Sequence, residues 1–181
     1  RYLDYLRGAV EDAGVEVLIG KDMAEATDLV ADADDLVLAL GGRWTLPDYP
    51  GIAVTDPLSA IAHIRAAGDS VVVVGADFVG AETAGHLAAS GRQVTLLDPR
   101  GEYGEDVNLV SRLVLPSALD QAGAAVHFGC EIIGAEDGAL IIDRGNGPKP
   151  IAVDTLVAAR ELQPVPSLQI EGIAHDGMRI H

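Results

Sequence analysis

The chain has 181 residues, 49% of them apolar and 22% charged, a balance that fits a globular protein and excludes a disordered one. Twenty-eight acidic residues against 12 basic ones leave a formal net charge of −16, which repels phosphate backbones and anionic lipid heads, so nucleic acid and membrane surfaces are not expected partners. No apolar run reaches the roughly 18 residues of a membrane span, no secretory leader is visible, and the single cysteine, Cys130, excludes an internal disulfide or a four-cysteine metal site; the cytoplasm is the expected compartment.

Leu3, Leu6, Val10 and Ala13 recur at helical spacing and Gly14 follows as a stop. The chain thus opens inside a helix at Arg1 and closes inside a strand at His181, which suggests a piece of a longer protein. Val15–Ile19 and Asp35–Leu40 read as buried strands, the second ending in Gly41-Gly42. Pro47, Pro50 and Gly51 punctuate a linker. These signals predict residues 1–50 as the remainder of one nucleotide-type domain, 51–163 as a second, Rossmann-like domain, and 164–181 as the return into the first.

Asp56-Pro57 opens a helix running to about Ala67, with Asp as N-cap and Pro at the first helical position. Ser70–Gly75 is a continuous β-branched run bounded by glycine, the pattern of a strand covered on both faces. Phe78–Ser90 is an Ala-rich helix stopped by Gly91, and Gln93–Asp98 is the next buried strand. Together they have the size of one βαβ unit. Asn108–Ala122 reads as a helix in which Pro116 either makes a kink or starts a second helix. Ala125–Phe128, Glu131–Ala135, Leu140–Asp143 and Ile151–Val153 read as short strands of an antiparallel meander, and Thr155–Ala159 as one more buried strand. Pro164 and Pro166 mark a second crossing, and Met178–His181 starts a last strand. The fold class is α/β: a Rossmann-like three-layer FAD/NAD(P)-binding fold with a parallel sheet and an appended antiparallel meander.

The chemistry-bearing motif is the strand-to-helix turn Gly75-Ala76-Asp77-Phe78-Val79-Gly80. A dinucleotide fingerprint needs three glycines there: one for the turn, one for close approach of the pyrophosphate, one for helix packing. Gly75 and Gly80 fill the first and third roles, and Asp77 stands at the second. Its carboxylate would sit near a doubly negative group. At about 4 Å and an effective dielectric of about 20, each like-charge pair costs about 4 kcal/mol, half of the roughly 8 kcal/mol in a micromolar site. NAD(H) is therefore not expected at this turn. Asp98, at the end of the second strand, stands where an acid holds an adenosine ribose, although it could equally do no more than end the strand. Gly41-Gly42-Arg43 brings backbone close either to a ligand or simply to a turn. His63, His86, His127, His175 and His181 lack metal-ligand spacing. Cys130 reads as a small buried residue, no nucleophile elbow is present, and Asp32, Asp34, Asp35, Glu102, Glu105 and Asp106 read as solvated loop residues.

Three segments carry a resemblance. Leu38–Arg43 is similar to the Ala-Thr-Gly-x-Arg turn at which two-dinucleotide flavoproteins leave their FAD-type domain, with Leu40 in place of the usual Thr. Leu46–Ile52 resembles the Pro-x-x-Pro-Gly-Ile crossing that follows it. Val153–Glu161 resembles the return, although Arg160-Glu161-Leu162 departs from the usual Gly-Arg-x-Pro. Within those flavoproteins the chain looks like the C-terminal region of the multidomain old-yellow-enzyme relatives, the trimethylamine, dimethylamine and histamine dehydrogenases and 2,4-dienoyl-CoA reductase. Gly42-Arg43-Trp44 and Ala76-Asp77 are similar to the amine dehydrogenase branch.

The resemblance implies an enzyme with FMN and a 4Fe-4S cluster on a TIM barrel outside this chain. It would oxidise a small amine and pass electrons to an electron-transfer flavoprotein, as a homodimer. It implies ADP (or FAD) as a bound nucleotide, near Lys21, Asp22, Met23, Gly41, Gly42 and Arg43, and no catalytic residue in this chain. Two other readings remain open: an NAD(P)H-dependent enoate reductase with a working NADH site, and a non-catalytic nucleotide-binding module.

Overall fold

The computed structural model describes residues 1–21, 30–164 and 177–180. The chain divides into two compact units, Arg1–Gly41 with Val165–His181, and Gly42–Pro164.

In the first unit, helix α1 spans Tyr2–Asp12, as the apolar spacing predicts, and none of its residues is buried. Val15–Ile19 forms no strand, contrary to expectation; Val15, Val17, Leu18 and Ile19 are between 47% and 91% exposed. An apolar segment becomes a strand only when a neighbour takes its backbone hydrogen bonds, and no other described residue pairs with it. The strand expected over Asp35–Leu40 shrinks to Asp35–Leu36 (β1), which pairs in parallel with Arg179–Ile180. The last strand therefore forms where the sequence placed it; its expected final residue, His181, lies outside the described residues.

The second unit begins with Gly42–Trp44 (β2) and Ala53–Thr55 (β3). Helix α2 covers Pro57–Ala62, with the Asp56 carboxylate accepting from the Ser59 N–H at 2.9 Å. The cap is the one predicted, but the helix is shorter. It breaks at His63 (φ −116°, ψ 37°), and one 3₁₀ turn, Ile64–Ala66, completes the segment. The βαβ unit follows as Ser70–Val74 (β4), Phe78–Ala89 (α3) and Gln93–Asp98 (β5).

Helix α4, Leu109–Ala122, runs through Pro116 without interruption, so no second helix starts there. Proline inside a helix costs about 3 kcal/mol. Leu115 and Leu119, 7% and 1% exposed, flank it, and each buried leucine contributes about 1.5–3 kcal/mol, enough to hold the helix on its course.

Ala125–Phe128 (β6), expected in the antiparallel meander, instead pairs in parallel with β5 and becomes the edge of the main sheet, because the crossover through α4 returns the chain in the direction of β5. Glu131–Glu136 (β7), Ala139–Asp143 (β8) and Lys149–Ala152 (β9) form the expected antiparallel meander, in the order β7-β8-β9. Thr155–Ala158 (β10) returns to the main sheet, whose order is β3-β10-β4-β5-β6, all parallel. Leu162–Pro164 (β11) pairs antiparallel with β2.

Because side chains alternate along a strand, β4 feeds two cores. Val71 and Val73 pack with Leu96, Leu87, Leu115 and Leu119 beneath the helices. Val72 packs with Leu97, Leu156, Leu140 and Ile142 beneath the meander. The sheet is thus covered on both faces, as its continuous apolar runs require.

Candidate functional site

The candidate site is the turn from β4 into α3 and the loop that folds over it. Gly75 has φ +114°, a value that suits glycine alone. A Cβ on Gly80 would lie 1.9 Å from the Gly75 carbonyl oxygen, so bare backbone is what lets α3 sit on the strand end. These are the first and third fingerprint roles, carried by the residues the sequence indicated.

The second position is built differently from expectation. Asp77 is the N-cap residue of α3, but its side chain does not cap the helix. It pairs instead with the Arg100 guanidinium, Nη1 to Oδ1 at 2.8 Å, with both side chains about one-third exposed. Its charge is therefore compensated within the chain, and the repulsion argued from sequence overstates the effect. The obstacle is the occupied space.

Arg100 also binds Asp98. Nε and the backbone N–H of Arg100 donate to Oδ1 at 2.9 and 2.8 Å, and Nη2 donates to Oδ2 at 2.6 Å. The Ala76 N–H donates to Oδ2 at 2.7 Å. Asp98 is 0% exposed. Burial alone would raise its pKa, but the Arg100 and Ala76 hydrogen bonds outweigh it and hold the carboxyl below the usual range. The same contacts, with Asp98 foremost, push the Arg100 pKa up. A carboxylate has about four acceptor sites, and four protein donors fill them. Asp98 thus has no acceptor left for a ribose hydroxyl in this arrangement.

The loop after β5 lies against the turn. The Gly104 N–H donates to the Ala76 carbonyl at 3.0 Å, and a Cβ on Gly104 would lie 1.9 Å from Oδ1 of Asp77. Asp106 accepts from the Phe78 N–H at 3.0 Å, at the first residue of α3. Arg112 on α4 fastens the loop, donating to Val107 O at 2.9 Å, Gly104 O at 2.8 Å and Glu102 at 2.9 Å. Glu102 and Asp106 are exposed loop residues, as the sequence suggested, and each is engaged by a neighbour; Asp35 instead lies in β1 and bonds Arg179, with Nε at 2.7 Å. Arg100, Gly104, Asp106 and Arg112 escaped the sequence reading. The available signal was Asp98-Pro99-Arg100, an acid and a base two residues apart at a strand end.

Beside the turn opens a cavity of about 690 Å³. Its lining includes Trp44 and Tyr103, five carboxylates (Asp77, Glu102, Glu105, Asp106, Glu161) and two guanidiniums (Arg100, Arg112). Glu161 stands in the left-handed region at φ +60°. A pyrophosphate bound at such a turn needs a bare second position and free N–H groups at the helix start. Here Asp77 fills the former, Asp106 accepts from the Phe78 N–H, and the surrounding charge is negative. The residues present do not fit that group.

The other expected positions belong to other segments of the chain. Lys21 and Gly41 belong to the first unit and are exposed; Asp22 and Met23 lie outside the described residues. Gly42 and Arg43 are in β2, where a Cβ on Gly42 would lie 2.9 Å from the Gln163 carbonyl oxygen. The close approach that this glycine permits is to β11. Among the described residues no cluster of three or more His, Cys, Asp or Glu could hold a metal. Cys130 is buried, as expected.

Comparison with known proteins places these features. A family model described as pyridine nucleotide-disulphide oxidoreductase matches residues 5–179; it describes a Rossmann-like FAD/NAD(P)-binding fold. A bilirubin reductase of Mediterraneibacter gnavus is 24% identical over 180 residues, 96% of this chain and 28% of that protein. Among solved structures, a 2-naphthoyl-CoA reductase in complex with 2-naphthoyl-CoA superposes with a TM-score of 0.81 at 22% identity, over 97% of this chain and 27% of that one. Histamine dehydrogenase from Rhizobium sp. 4-9 superposes with a TM-score of 0.76 at 16% identity, over 98% of this chain and 31% of that one. The chain spans about three-tenths of the length of each of these relatives.

Proposed function

The chain belongs to the pyridine nucleotide-disulphide oxidoreductase family, and from that premise we propose that it is the nucleotide-fold region of a flavin-dependent amine dehydrogenase whose second dinucleotide fold has given up nicotinamide. The enzyme oxidises a small amine at FMN and sends electrons through a 4Fe-4S cluster to an electron-transfer flavoprotein. All of that chemistry lies outside this chain. What this region contributes is a scaffold, with ADP held near Lys21 and Gly41 of the first unit, and a face for docking.

The observation that carries this reading is Arg100 bridging Asp77 and Asp98, with Asp106 on the first N–H of α3. The turn pairs the Asp77 charge with Arg100 and the Phe78 N–H with Asp106, so a pyridine nucleotide would have to displace both carboxylates. Gly42-Arg43-Trp44 and the likeness to histamine dehydrogenase lend support to the amine branch.

The alternative, an NAD(P)H-driven enoate reductase, draws on a different property of the same residue. Arg100 follows the second strand by two residues, where an arginine can accommodate a 2′-phosphate. It would first have to leave Asp77.

The test is anaerobic mixing of the intact enzyme with NADH and, separately, with NADPH while flavin absorbance is followed. Neither is expected to bleach the flavin on the timescale of turnover. Rapid bleaching by either one overturns the proposal in favour of the reductase.

A further inference from the structure

We propose that the crevice on the meander face of the main sheet, lined by Tyr49, Val74, Leu97, Cys130, Ile132 and Arg160, binds a small carboxylate with an apolar body. The crevice opens on the other face of the sheet from the loop over the turn, although the Arg160 stem reaches Gly75 at the start of that turn. Its apolar walls, Val74, Leu97 and Ile132, belong to the core beneath the meander. The turn and its loop sit over the other core, with Tyr103 and Val107.

The placement follows from topology. β4 leads through α3 to β5 on one side, whereas β10 arrives on the other side of β4. The strand order therefore reverses between β4 and β10. In open α/β sheets ligands bind outside the carboxyl ends of the strands at such a point. The crevice lies there, past Val74 on β4, Leu97 on β5 and the end of β10.

Arg160 supplies the recognition element. Pairing carries on past β10, with the Ala159 N–H donating to the Val74 carbonyl at 2.9 Å. Arg160 is thereby fixed beside the end of β4. Its Cγ lies 2.5 Å from where a Cβ on Gly75 would be, so the bare backbone of Gly75 makes room for the stem. Ordering that stem in advance lowers the entropy lost on binding. The guanidinium itself has no hydrogen-bond or ion-pair partner among the described residues. A planar fork of donors held at an apolar crevice matches a carboxylate bidentately.

Size and charge narrow the class. The volume is about 270 Å³, at the bottom of the range for small-molecule pockets, which suits a single ring or a short branched chain. Glu131 lines the rim and is exposed. Its charge opposes a second negative charge on the ligand, which favours a monoanion over a phosphate.

Cys130 provides the readout. It is the only cysteine of the chain, is 2% exposed and lines the crevice. The intact protein is treated with a small alkylating reagent, with and without benzoate, and the peptide carrying Cys130 is followed by mass spectrometry. Benzoate at several times its dissociation constant should slow alkylation about fivefold. Benzamide, its neutral counterpart, and benzylammonium should leave the rate unchanged.

Arg160→Gln should abolish the protection, and Arg160→Lys should retain part of it. No protection by benzoate at millimolar concentration, or equal protection by benzamide or benzylammonium, overturns the proposal. The comparison of benzoate with benzamide needs no variant, so it decides the matter even if Arg160→Gln does not fold.

Discussion

Asp98 shows how one buried residue can organise a turn. Its carboxylate joins the first N–H after Gly75 to the guanidinium that neutralises Asp77. In Asp98→Asn, an amide nitrogen replaces one acceptor and faces either the Arg100 fork or the Ala76 N–H. Removing one partner of a fully buried pair costs 3–5 kcal/mol. Arg100 keeps 38% of its side chain in water, so a loss of about 2–3 kcal/mol is expected in urea denaturation. The pH dependence has a defined sign. The folded-state pKa lies below the ordinary 3.8. The stabilisation is therefore complete above that value and is lost as pH falls through the folded pKa. Unfolding free energy measured from pH 6 to about 2 should fall more steeply in the native protein than in Asp98→Asn; parallel profiles would show that Asp98 is not responsible.

At the scale of elements, the helix–strand junction is the most constrained part of the βαβ unit. Gly80→Ala sets a Cβ 1.9 Å from a carbonyl oxygen of the backbone, where no flexible side chain can yield. Helix α3 must lift from β4, at a cost of about 3 kcal/mol. Gly85→Ala, on the same helix, meets Leu119 at an ordinary 3.7 Å and should gain about 0.5–1 kcal/mol from helix propensity. Chemical denaturation of the pair separates local crowding from any general effect of substituting glycine in α3.

The same scale separates what could be read in the sequence from what could not. β4, α3, β5 and the meander strands fall within a residue or two of their expected limits, because apolar runs and glycine stops are local signals. Val15–Ile19 has the composition of a strand, but a strand also needs a neighbour, which composition does not encode. The site divides along the same line. Gly75, Asp77, Gly80 and Asp98 were legible from their spacing. Arg100, Gly104 and Asp106 sit in a loop with no periodicity, and their partners become apparent only in three dimensions. Asp77 was therefore read as an unopposed charge when it is half of an ion pair.

For the molecule as a whole, a formal charge of −16 sets the response to salt. Self-repulsion acts over the Debye length, about 10 Å at 0.1 M and about 3 Å at 1 M. Exposed pairs such as Arg7–Asp4 contribute at most about 1 kcal/mol, too little to offset the relief. Melting temperature should rise by several degrees between about 0.05 and 0.5 M sodium chloride; a fall would mean that local ion pairs outweigh the net charge. The plugged turn is also a set of mutually dependent contacts. Asp77 shields a guanidinium, Gly104 leaves room for Asp77, and Arg112 pins the loop that carries Gly104. Asp77→Gly alone would strip Arg100 of one partner while Asp106 still held the Phe78 N–H. Each of these residues is thus a condition for the others, and opening the turn to a diphosphate takes several substitutions made together.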